Sequence, residues 1–591
     1  MGLRIFNVRV PYKEQPVCGV FLQPYVLFKD AQTEAVVHVD VLDESSLVIA
    51  AAPEQRVHLR SRWLRQVVVR GSASCSIHQD RDAALQCLLC LKARVPTGLS
   101  FHCTGECLRN HWKLHETYHE RQRQTEGIQD CHRASNGSNH IYPGVVKNDP
   151  TGCIDPNGDS KWVQICSSRD YAPSAADIGC NLKYECFLAD EHAPFCASDE
   201  VEMFVVITSR VLPAPSPPLR AMASLIPLNL RLNREGRFTL LTYNILADLY
   251  ASQREPCQSP PSAWTLSWQY RRLNLVREVV GYRADVVCLQ EVQSNHFDEY
   301  FRAAMESHGY LGVFKRKTSE VFVGKALAID GCATFYRKDR FTLIKKYEVE
   351  FNKAACSTAG QYPEPQRHAA LQRLSKDNVA LIVVLESVQP MLGRQKQLIC
   401  VANTHIHANP EHSDVKLWQV HTLLKGLEKI AASAEIPIVI AGDFNSEPGS
   451  AAHTLLVMQE IDHTHPEVAH DPAHFLQSLL PVHHKLPLHS AYSAMAASDR
   501  IDASMEGFQA ESVTGFWEPP FTTVTETYKG TLDYIFYTPS LLRPTSLLEL
   551  PAESEVSLSS TGLPNAKFSS DHICLGAEFQ LLCPGDCDLV M

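Results

Sequence analysis

One apolar run constrains the fold of this chain more than any other feature of the sequence. The run I-P-I-V-I-A-G-D-F-N-S-E-P extends from Ile436 to Pro448, and its apolar half predicts a strand buried on both faces. The strand ends at Gly442 and is followed by Asp443 and Asn445. Since residues two apart on an extended chain point the same way, both polar side chains are expected to face one spot. Burial of such a pair requires a partner, which indicates a cation or a catalytic pocket; a polar capping turn is the alternative.

The composition indicates a multidomain globular protein of a reducing compartment. The chain has 591 residues, which suggests three or four domains, and 45% of them are hydrophobic. A formal net charge of −11 does not favour indiscriminate binding of nucleic acid, so a polyanionic substrate would need a basic rim or bound cations. No apolar run approaches membrane-spanning length, and we expect neither a signal peptide nor a membrane partner. Of the 20 cysteines, five lie between Cys75 and Cys107 among histidines, which favours metal binding over disulfides and a cytosolic or nuclear protein.

Four closely spaced ligand pairs predict a zinc-binding module at residues 71–122. Each pair has the spacing of a zinc half-site, and the eight ligands are Cys75, His78, Cys87, Cys90, Cys103, Cys107, His115 and His119. Eight ligands suit two structural Zn²⁺ ions, because no coordination position is left open. The spacing resembles the MYND-type zinc finger, whose ligands alternate between two zincs, and this resemblance implies docking of a proline-containing peptide. His102 and His111 lie near enough to leave the ligand assignment open.

The rest of the N-terminal half is expected to be rich in β-structure. Residues 1–70 have the pattern of short strands, for example A-V-V-H-V-D-V-L from Ala35. Residues 139–210 combine short alternating strands with turn signals, which predicts a small β-sandwich of immunoglobulin-like type. A Pro-rich stretch within residues 211–236 predicts a stiff linker.

Residues 237–582 alternate between apolar strands and helical patterns, and several of the strands end in a polar residue. One helix is predicted from Trp268 and another over Val415 to Ala431. The polar residues at strand ends are Asn244, Glu291, His405, Asp443, Asn445, Asp533, Asp571 and His572. Each alone is typical of a turn cap or a solvated side chain. Together they supply hard oxygen ligands, bases and imidazoles, a set suited to Mg²⁺-assisted attack of water on a phosphate ester.

Six motifs of this region resemble the endonuclease/exonuclease/phosphatase superfamily. They are T-Y-N-I-L-A, C-L-Q-E-V, N-T-H-I-H, G-D-F-N-S, L-D-Y-I-F and S-S-D-H, in family order. The resemblance implies an α/β fold, a DNase I-like two-sheet sandwich flanked by helices. Finer strings, including F-K-R-K-T, D-G-C-A-T-F-Y-R and D-V-K-L-W-Q, resemble the carbon catabolite repressor protein 4 family of poly(A)-specific 3′ exoribonucleases. The MYND-like finger, present where leucine-rich repeats would be expected, is similar to the plant-type branch.

The resemblance implies roles for the residues that meet metal, water and phosphate. Glu291 would be the principal Mg²⁺ carboxylate, with Asn244 on the metal or its water. Two Mg²⁺ ions are expected, and Mn²⁺ could replace them. Asp443 would orient or deprotonate the attacking water, while Asn445 would hold a phosphate oxygen.

The resemblance also implies roles for two imidazoles. His405 would stabilise charge that develops on phosphorus. His572 would stabilise the scissile phosphate or the leaving oxygen, and Asp571 would orient its ring. Asp533 falls at the position of another active-site carboxylate.

Two residues match those that pinch a terminal adenine in the family, namely Tyr528 and Pro410. Aromatic stacking tolerates any base, so selection of adenine would need further hydrogen bonds, and loop packing is the alternative for both residues. Lys315, Arg316 and Lys317 are candidate contacts to the RNA backbone or, alternatively, a solvated charge run.

The resemblance implies a Mg²⁺-dependent deadenylase that shortens poly(A) tails of mRNA from the 3′ end and releases 5′-AMP. Implied partners are poly(A) RNA, a second deadenylase subunit and a Not-type scaffold, docked through the finger. The expected location is the cytoplasm, including processing bodies, with the nucleus also open. The alternatives are a phosphodiesterase of the same fold that acts on 2′-5′ oligoadenylate, a dinucleotide phosphate or DNA, and a non-catalytic scaffold.

Overall fold

A computed structural model places the chain in two compact units, residues 1–214 and 215–591. It describes residues 3–110, 160–214 and 216–582 apart from gaps within these ranges, the longest of them at 87–99, 190–202, 252–262, 470–479 and 497–516. Within the described part of the chain, no helix has the length and apolar character needed to cross a membrane.

The first unit consists mainly of two antiparallel sheets around a shared core. Its elements are β1 (Leu3–Arg9), β2 (Tyr25–Asp30), β3 (Val36–Val37), β4 (Val39–Val41), β5 (Ser46–Ile49), β6 (Ala52–Val68), β7 (Leu85–Gln86), β8 (Phe101–His102), α1 (Gly105–Asn110), β9 (Ser160–Cys166), β10 (Asn181–Ala189) and β11 (Phe204–Arg210). The small sheet has the order β1-β2-β3, and the large one has the order β11-β10-β6-β5-β4, with β9 also paired to β6. Ile5 and Phe28 of the small sheet share one apolar core with Trp63 and Tyr184 of the large sheet.

The strand pairing differs from the predicted domain division. Strand β6 belongs to residues 1–70, yet it pairs along its length with β10, which lies in residues 139–210. The predicted β-rich region and the predicted sandwich therefore contribute strands to one sheet. The zinc ligands lie in the connection between those strands. The sequence of neither strand predicts which strand it will pair with. The hydrophobic pattern of each strand shows which face is buried, but many apolar strands would fit against that face.

The second unit is a sandwich of two mixed sheets. Its strands are β12 (Met222–Ser224), β13 (Arg237–Asn244), β14 (Val286–Gln290), β15 (Tyr310–Arg316), β16 (Val321–Val323), β17 (Ala326–Ala328), β18 (Gly331–Arg337), β19 (Phe341–Glu350), β20 (Val379–Ser387), β21 (Leu398–His405), β22 (Ile438–Asp443), β23 (Glu460–Ile461), β24 (Val482–His483), β25 (His489–Ser490), β26 (Thr523–Val524), β27 (Lys529–Gly530), β28 (Asp533–Tyr537), β29 (Leu542–Leu548) and β30 (Leu575–Leu581). The first sheet has the order β12-β29-β30-β13-β14-β18-β15, and the second has the order β19-β20-β21-β22-β28-β25. The predicted α/β two-sheet fold is confirmed.

Helices cover the outer faces of this sandwich. They are α2 (Asp248–Ala251), α3 (Trp268–Gly281), α4 (Ser294–His296), α5 (Arg302–Ser307), α6 (Phe351–Ala359), α7 (Gln366–Leu374), α8 (Ser413–Ser433), α9 (Ala451–Met458), α10 (Pro466–Ala469), α11 (Ser493–Ala496) and α12 (Glu553–Val556). Strand β22 shows why the central strands are apolar on both faces. Its Ile438 and Ile440 pack into the helix layer, whereas Val439 and Ala441 pack between the sheets.

Each sheet contains one parallel pair of strands, and these pairs position the polar residues. Strands β13 and β14 are parallel in the first sheet, and β21 and β22 are parallel in the second. Their carboxyl ends carry Asn244 and Gln290 as one register pair, and His405 and Asp443 as the other. The S-S-D-H motif lies in the loop before β30, which begins at Leu575.

Part of the predicted linker belongs to the second unit. Strand β12 extends the first sheet by pairing with β29. Arg220 is anchored just before it, where its guanidinium donates to the carbonyl oxygens of Glu549 and Cys574 at 2.9 and 2.6 Å. A buried, multiply bonded arginine is incompatible with a free spacer, so the linker is shorter than residues 211–236.

Gly442 is required where β21 and β22 approach each other. Its φ is +149°, and a Cβ atom there would lie 2.0 Å from the carbonyl oxygen of Thr404. We expect Gly442→Ala to lower the free energy of unfolding by at least about 2 kcal/mol, because backbone strain and a backbone clash act together. Urea unfolding of the full chain measures this.

The matched control for this substitution is Gly426→Ala. Gly426 lies inside α8, and a Cβ atom there would meet nothing within 4 Å. The control should raise stability by up to about 1 kcal/mol, as for a glycine replaced within a helix. Equal effects of the two substitutions would contradict the requirement at Gly442.

Candidate active site and zinc centre

The site is built around the carboxylate of Asp443, at the end of β22. Its Oδ2 accepts a hydrogen bond of 2.9 Å from the amide of Asn244, at the end of β13. The same Asn244 nitrogen donates to Oε1 of Glu291 at 3.0 Å. Asn244 is fully buried, and its own oxygen accepts from the backbone N–H of Leu246. One amide therefore joins carboxylates carried by the two sheets of the sandwich.

Glu291 follows β14 in a left-handed backbone conformation, with φ of +57°. Its second oxygen accepts from the backbone N–H of Ala247 at 2.8 Å. Burial, together with the negative charges of Asp571 and Asp330, raises the pKa of Glu291 to about 7. The carboxylate therefore lies in a field that favours a positively charged partner.

A buried lysine lies beside this carboxylate. The Nζ atom of Lys317 is 2.8 Å from Oδ2 of Asp330, whose Oδ1 accepts from the hydroxyl of Tyr250 at 3.1 Å. Burial acts to lower the pKa of Lys317, but Asp330, Tyr250 and Glu291 outweigh it and raise the pKa. Lys317 is therefore a charged residue of the site and not part of an exposed charge run. Lys315 instead forms ion pairs with glutamates of β19.

The charges of the site fit a divalent cation. Carboxyl groups outnumber basic side chains at this centre: Glu291, Asp330, Asp443, Asp533 and Asp571 against Arg271, Lys317 and His572. Carboxylate oxygens are the ligands that Mg²⁺ prefers. Glu291 is suited to hold the ion. Asn244, whose nitrogen holds two carboxylates, is suited to position them, and its predicted place on the metal stays a prediction.

The ring of His572 is held by Asp533, which corrects the predicted partner. The Nδ1 atom of His572 lies 2.7 Å from Oδ2 of Asp533, whereas the resemblance implied orientation by Asp571. Thr523 also lies within hydrogen-bond distance of that nitrogen, at 2.9 Å. Asp571 contributes charge near Glu291 and His572 and accepts a long hydrogen bond from Ser570. Register explains the difference, because Asp533 pairs with Asp443 across β28 and β22.

The two imidazoles of the site have opposite charge states. Burial acts to lower the pKa of His572, but the carboxylates of Asp533 and Asp443 outweigh it and raise the pKa well above the ordinary value. Burial lowers the pKa of His405 to about 3, and the charge of Lys317 adds to this effect. The Nε2 atoms of His405 and His572 lie 3.6 and 3.7 Å from Oδ2 of Asp443. Asp443 thus lies between a neutral and a charged ring.

Asn445 reaches the site by a turn and not by strand alternation. The strand ends at Asp443, and Asn445 has a left-handed φ of +47°. Its backbone N–H donates to Oδ1 of Asp443 at 2.9 Å, and its side-chain amide donates to the carbonyl of Ile406 at 2.9 Å. Lys416 donates to the carbonyl oxygen of Asn445. The predicted convergence of Asp443 and Asn445 is found, although the extended geometry expected for it is not.

Two further polar side chains that sequence reasoning missed hold the site together. Arg271 of α3 is fully buried and donates to the carbonyls of Ile245, Leu246 and Ser569 at 3.1, 2.8 and 3.2 Å. It thereby joins the loop after β13 to the loop that precedes Asp571. Gln290 donates to Asn403 of the second sheet at 2.8 Å. The helical pattern around Trp268 gave no signal for a buried arginine, whereas Gln290 stands within the C-L-Q-E-V motif.

The two predicted base-contacting residues lie on loops. Tyr528 is half-buried, and its hydroxyl donates to Oε1 of Glu447 at 2.9 Å. Burial and the hydrogen bond to the Glu447 carboxylate raise the pKa of the Tyr528 hydroxyl. Pro410 is exposed in the loop between β21 and α8.

Four of the eight predicted zinc ligands converge in the first unit. Donor atoms of Cys75, His78, Cys103 and Cys107 all lie within 4.8 Å of one another. The sulfurs of Cys75 and Cys107 are 3.5 Å apart, and those of Cys103 and Cys107 lie 3.3 and 3.4 Å from Nδ1 of His78. A tetrahedral zinc with ~2.3 Å bonds to sulfur needs ligand separations of about 3.8 Å, so the group fits the ion.

The other four predicted zinc ligands lie outside the described residues. They are Cys87, Cys90, His115 and His119. The Cys75/His78 pair and the Cys103/Cys107 pair, which are the first and third along the chain, lie together. This is the alternation of ligand pairs between two zincs that the MYND resemblance implies. His102 lies nearby, with Nδ1 4.0 Å from the sulfur of Cys107.

Comparison with known proteins agrees with this fold. A model of the endonuclease/exonuclease/phosphatase family matches residues 241–572, a range that contains most of the sandwich and all eight strand-end residues. The chain belongs to this family.

Within the family, the chain is a member of the carbon catabolite repressor protein 4 group. It is 43% identical to carbon catabolite repressor protein 4 homolog 2 of Arabidopsis thaliana, over 98% of each chain. It is 32% identical to the CCR4-Not complex 3′-5′-exoribonuclease subunit Ccr4 of Mycosarcoma maydis, over 58% of this chain and 50% of that protein. The predicted resemblance to the plant-type branch is confirmed, because the plant match includes the N-terminal unit. A crystal structure of the 2′,3′-cyclic phosphatase ANGEL2 is 26% identical and covers 62% of this chain and 99% of that chain, with a TM-score of 0.46.

The zinc centre predicts a loss of bound metal on removal of one ligand. We expect Cys103→Ala to lower the zinc content of the purified chain by about one ion, because three donors close a tetrahedral structural site poorly. Elemental analysis measures this. Cys356→Ala is the matched control, since Cys356 is exposed in the second unit, and its zinc content should equal that of the wild type. Unchanged zinc in Cys103→Ala would contradict the centre.

The Asp533–His572 pair predicts a specific pH dependence of stability. A histidine whose pKa is raised on folding stabilises the fold below about pH 6.5, and this contribution is lost as the pH rises through the folded pKa. We therefore expect the wild type to lose stability from pH 6.5 upward, and Asp533→Asn to lose less. Urea unfolding at several pH values between 6.5 and 9 measures this.

Asp571→Asn is the matched control for this prediction. It removes the same charge from a neighbouring position without breaking the 2.7 Å bond to the ring. Its pH dependence should stay close to that of the wild type. A larger change in Asp571→Asn than in Asp533→Asn would restore the partner that the resemblance implied.

Proposed function

We propose that the chain is a Mg²⁺-dependent 3′–5′ exoribonuclease that shortens poly(A) tails and releases 5′-AMP. The observation that carries this proposal is the convergence of Asn244, His405 and His572 on one oxygen of Asp443. An aspartate held between a neutral and a charged imidazole, beside a carboxylate cluster, suits hydrolysis of a phosphodiester. The names of the fungal relatives, which are 3′-5′-exoribonuclease subunits, support RNA as the substrate.

The residues divide the chemistry between them. Asp443 orients the attacking water and accepts its proton as the water oxygen bonds to phosphorus. His405, which is neutral, donates a hydrogen bond to a phosphate oxygen as charge develops there. His572, which is protonated and held by Asp533, lies opposite and gives a proton to the leaving 3′ oxygen as the P–O bond breaks. Asn445 holds another phosphate oxygen.

Magnesium would supply Lewis-acid stabilisation of phosphate charge when held at Glu291. Two hydrogen bonds hold the Glu291 carboxylate in place: the side chain of Asn244 donates to one oxygen and the backbone N–H of Ala247 donates to the other. The proposal includes two magnesium ions, as the resemblance implies, and their replacement by Mn²⁺. Binding of the terminal base is assigned to stacking between Tyr528 and Pro410, and the preference for adenine requires hydrogen bonds in addition, because stacking tolerates any base.

Recruitment is assigned to the zinc-braced N-terminal unit. The fungal relatives are named as subunits of the CCR4-Not complex, which supports a second deadenylase subunit and a Not-type scaffold as partners. We assign the contact to a proline-containing peptide bound by the finger. The proposed location is the cytoplasm, including processing bodies, and the nucleus.

Digestion of a 3′-A-tailed RNA by the full chain tests the function. With Mg²⁺ the wild type should remove adenosines one at a time as 5′-AMP, and chelation should stop it. Asp443→Ala should lose at least about 10³-fold in rate, because the group that orients and activates water is removed. Thin-layer or liquid chromatography of the products measures this.

Asp462→Ala is the matched control, since Asp462 is an exposed carboxylate in the same unit. It should digest the RNA at the wild-type rate. Cleavage at internal positions would contradict the exonuclease, and equal rates on oligo(U) tails would contradict the preference for poly(A).

A further inference from the structure

The turn that follows β22 also makes a contact outside the catalytic residues. Glu447 lies two residues beyond Asn445 on this turn, is exposed, and accepts a 2.9 Å hydrogen bond from the hydroxyl of Tyr528. The two residues are 81 positions apart in sequence, so the bond joins separate loops. Asp443, Asn445 and Glu447 are thus carried by five consecutive positions.

Tyr528 stands on a hairpin that is itself tied to the catalytic centre. Strands β26 and β27 form the hairpin, and the turn between them is closed by the N–H of Tyr528 donating to Thr525 at 3.0 Å. At its base, Thr522 donates to Asp533 at 2.7 Å, and Thr523 lies 2.9 Å from the ring of His572. The position of the Tyr528 ring is therefore set from two sides, by the hairpin and by Glu447.

The glycine at position 530 makes room for this arrangement. A Cβ atom on Gly530 would lie 2.3 Å from the hydroxyl oxygen of Tyr528 and 2.8 Å from its Cζ atom. The end of the ring therefore lies close against Gly530, and its hydroxyl donates to Glu447. A tyrosine hydroxyl anchored to a carboxylate loses the freedom to swing that an unanchored ring would keep.

We propose that Glu447 is a positioning residue that fixes the Tyr528 ring as the platform for the 3′-terminal base. The inference rests on the proposed exoribonuclease function and deepens it. Because one turn carries both Glu447 and the phosphate-holding Asn445, the contact sets the distance between the stacked base and the scissile phosphate. With the terminal base held at this distance, the phosphodiester bond that is cleaved lies one nucleotide from the 3′ end.

Steady-state kinetics on oligo(A) with the full chain tests this role. Glu447→Ala and Tyr528→Phe should each raise KM about threefold to tenfold, the range for loss of one hydrogen bond, with kcat within twofold of the wild type. The double variant should be no worse than either single variant, because both remove the same bond. Glu447→Gln, which keeps an acceptor oxygen, should restore most of the wild-type KM.

A second readout follows the base itself. A 2-aminopurine at the 3′ end of the oligonucleotide is quenched when it stacks, and Glu447→Ala should quench it less than the wild type does. Gly530→Ala should reproduce this change by displacing the hydroxyl. Glu526→Ala is the matched control, since Glu526 is an exposed carboxylate two residues from Tyr528. Its KM and quenching should equal those of the wild type.

The outcomes separate the two proposals. A wild-type chain that releases no nucleotide from oligo(A) contradicts the proposed function. An active wild type whose Glu447→Ala variant behaves like Glu526→Ala contradicts the positioning role alone. Multiplicative effects in the double variant, or a loss of kcat with unchanged KM, also contradict that role.

Discussion

The catalytic centre depends on the two hydrogen bonds donated by the amide of Asn244. This amide joins Glu291, which follows the first sheet, to Asp443, which ends a strand of the second. Two buried carboxylates repel each other, and a shared N–H donor group lowers that cost without adding a charge. The geometry needs unusual backbone around it. Leu246, Glu291 and Asn445 all have left-handed φ angles, between +47° and +57°. Such strain persists only when the surrounding core holds it in place.

A second polar link lies beneath the first and keeps the sheets in register. Gln290 donates to Asn403 across the interface at 2.8 Å, and Asn403 donates in turn to the carbonyls of Leu289 and Ala333 at 3.2 and 2.9 Å. All of these groups are buried next to a layer of apolar side chains between the sheets. Hydrogen bonds between buried amides allow fewer relative positions of the sheets than contacts between apolar side chains do. The site is therefore aligned by hydrogen bonds and stabilised by the apolar core around them.

The sequence predicted the pieces of this site better than their pairing. Apolar runs marked the strands, and a polar residue at each strand end marked the site, because both signals are local. The partner of His572 is not a local property: Asp571 is its neighbour in sequence, but the antiparallel pairing of β28 with β22 brings Asp533 to it. The same limit applies to Lys317, which in sequence stands in a basic run and in the structure is buried against Asp330. In the N-terminal unit, the pairing of β6 with β10 spans the whole zinc-binding segment, and no pattern within either strand encodes it.

The opposite charge states of His405 and His572 follow from strand order. His405, Asp443 and Asp533 stand side by side on β21, β22 and β28, and His572 approaches the Asp533 side of this row. His572 therefore meets two carboxylates, which overcome the effect of burial on its pKa, while His405 meets only one together with the charge of Lys317. Environments that move the pKa values of two like groups apart assign them different tasks. A protonated ring can give a proton to a leaving oxygen, whereas a neutral ring donates a hydrogen bond from one nitrogen and accepts a hydrogen bond or a proton at the other. The order of the three strands thus sets which of the two imidazoles carries the charge.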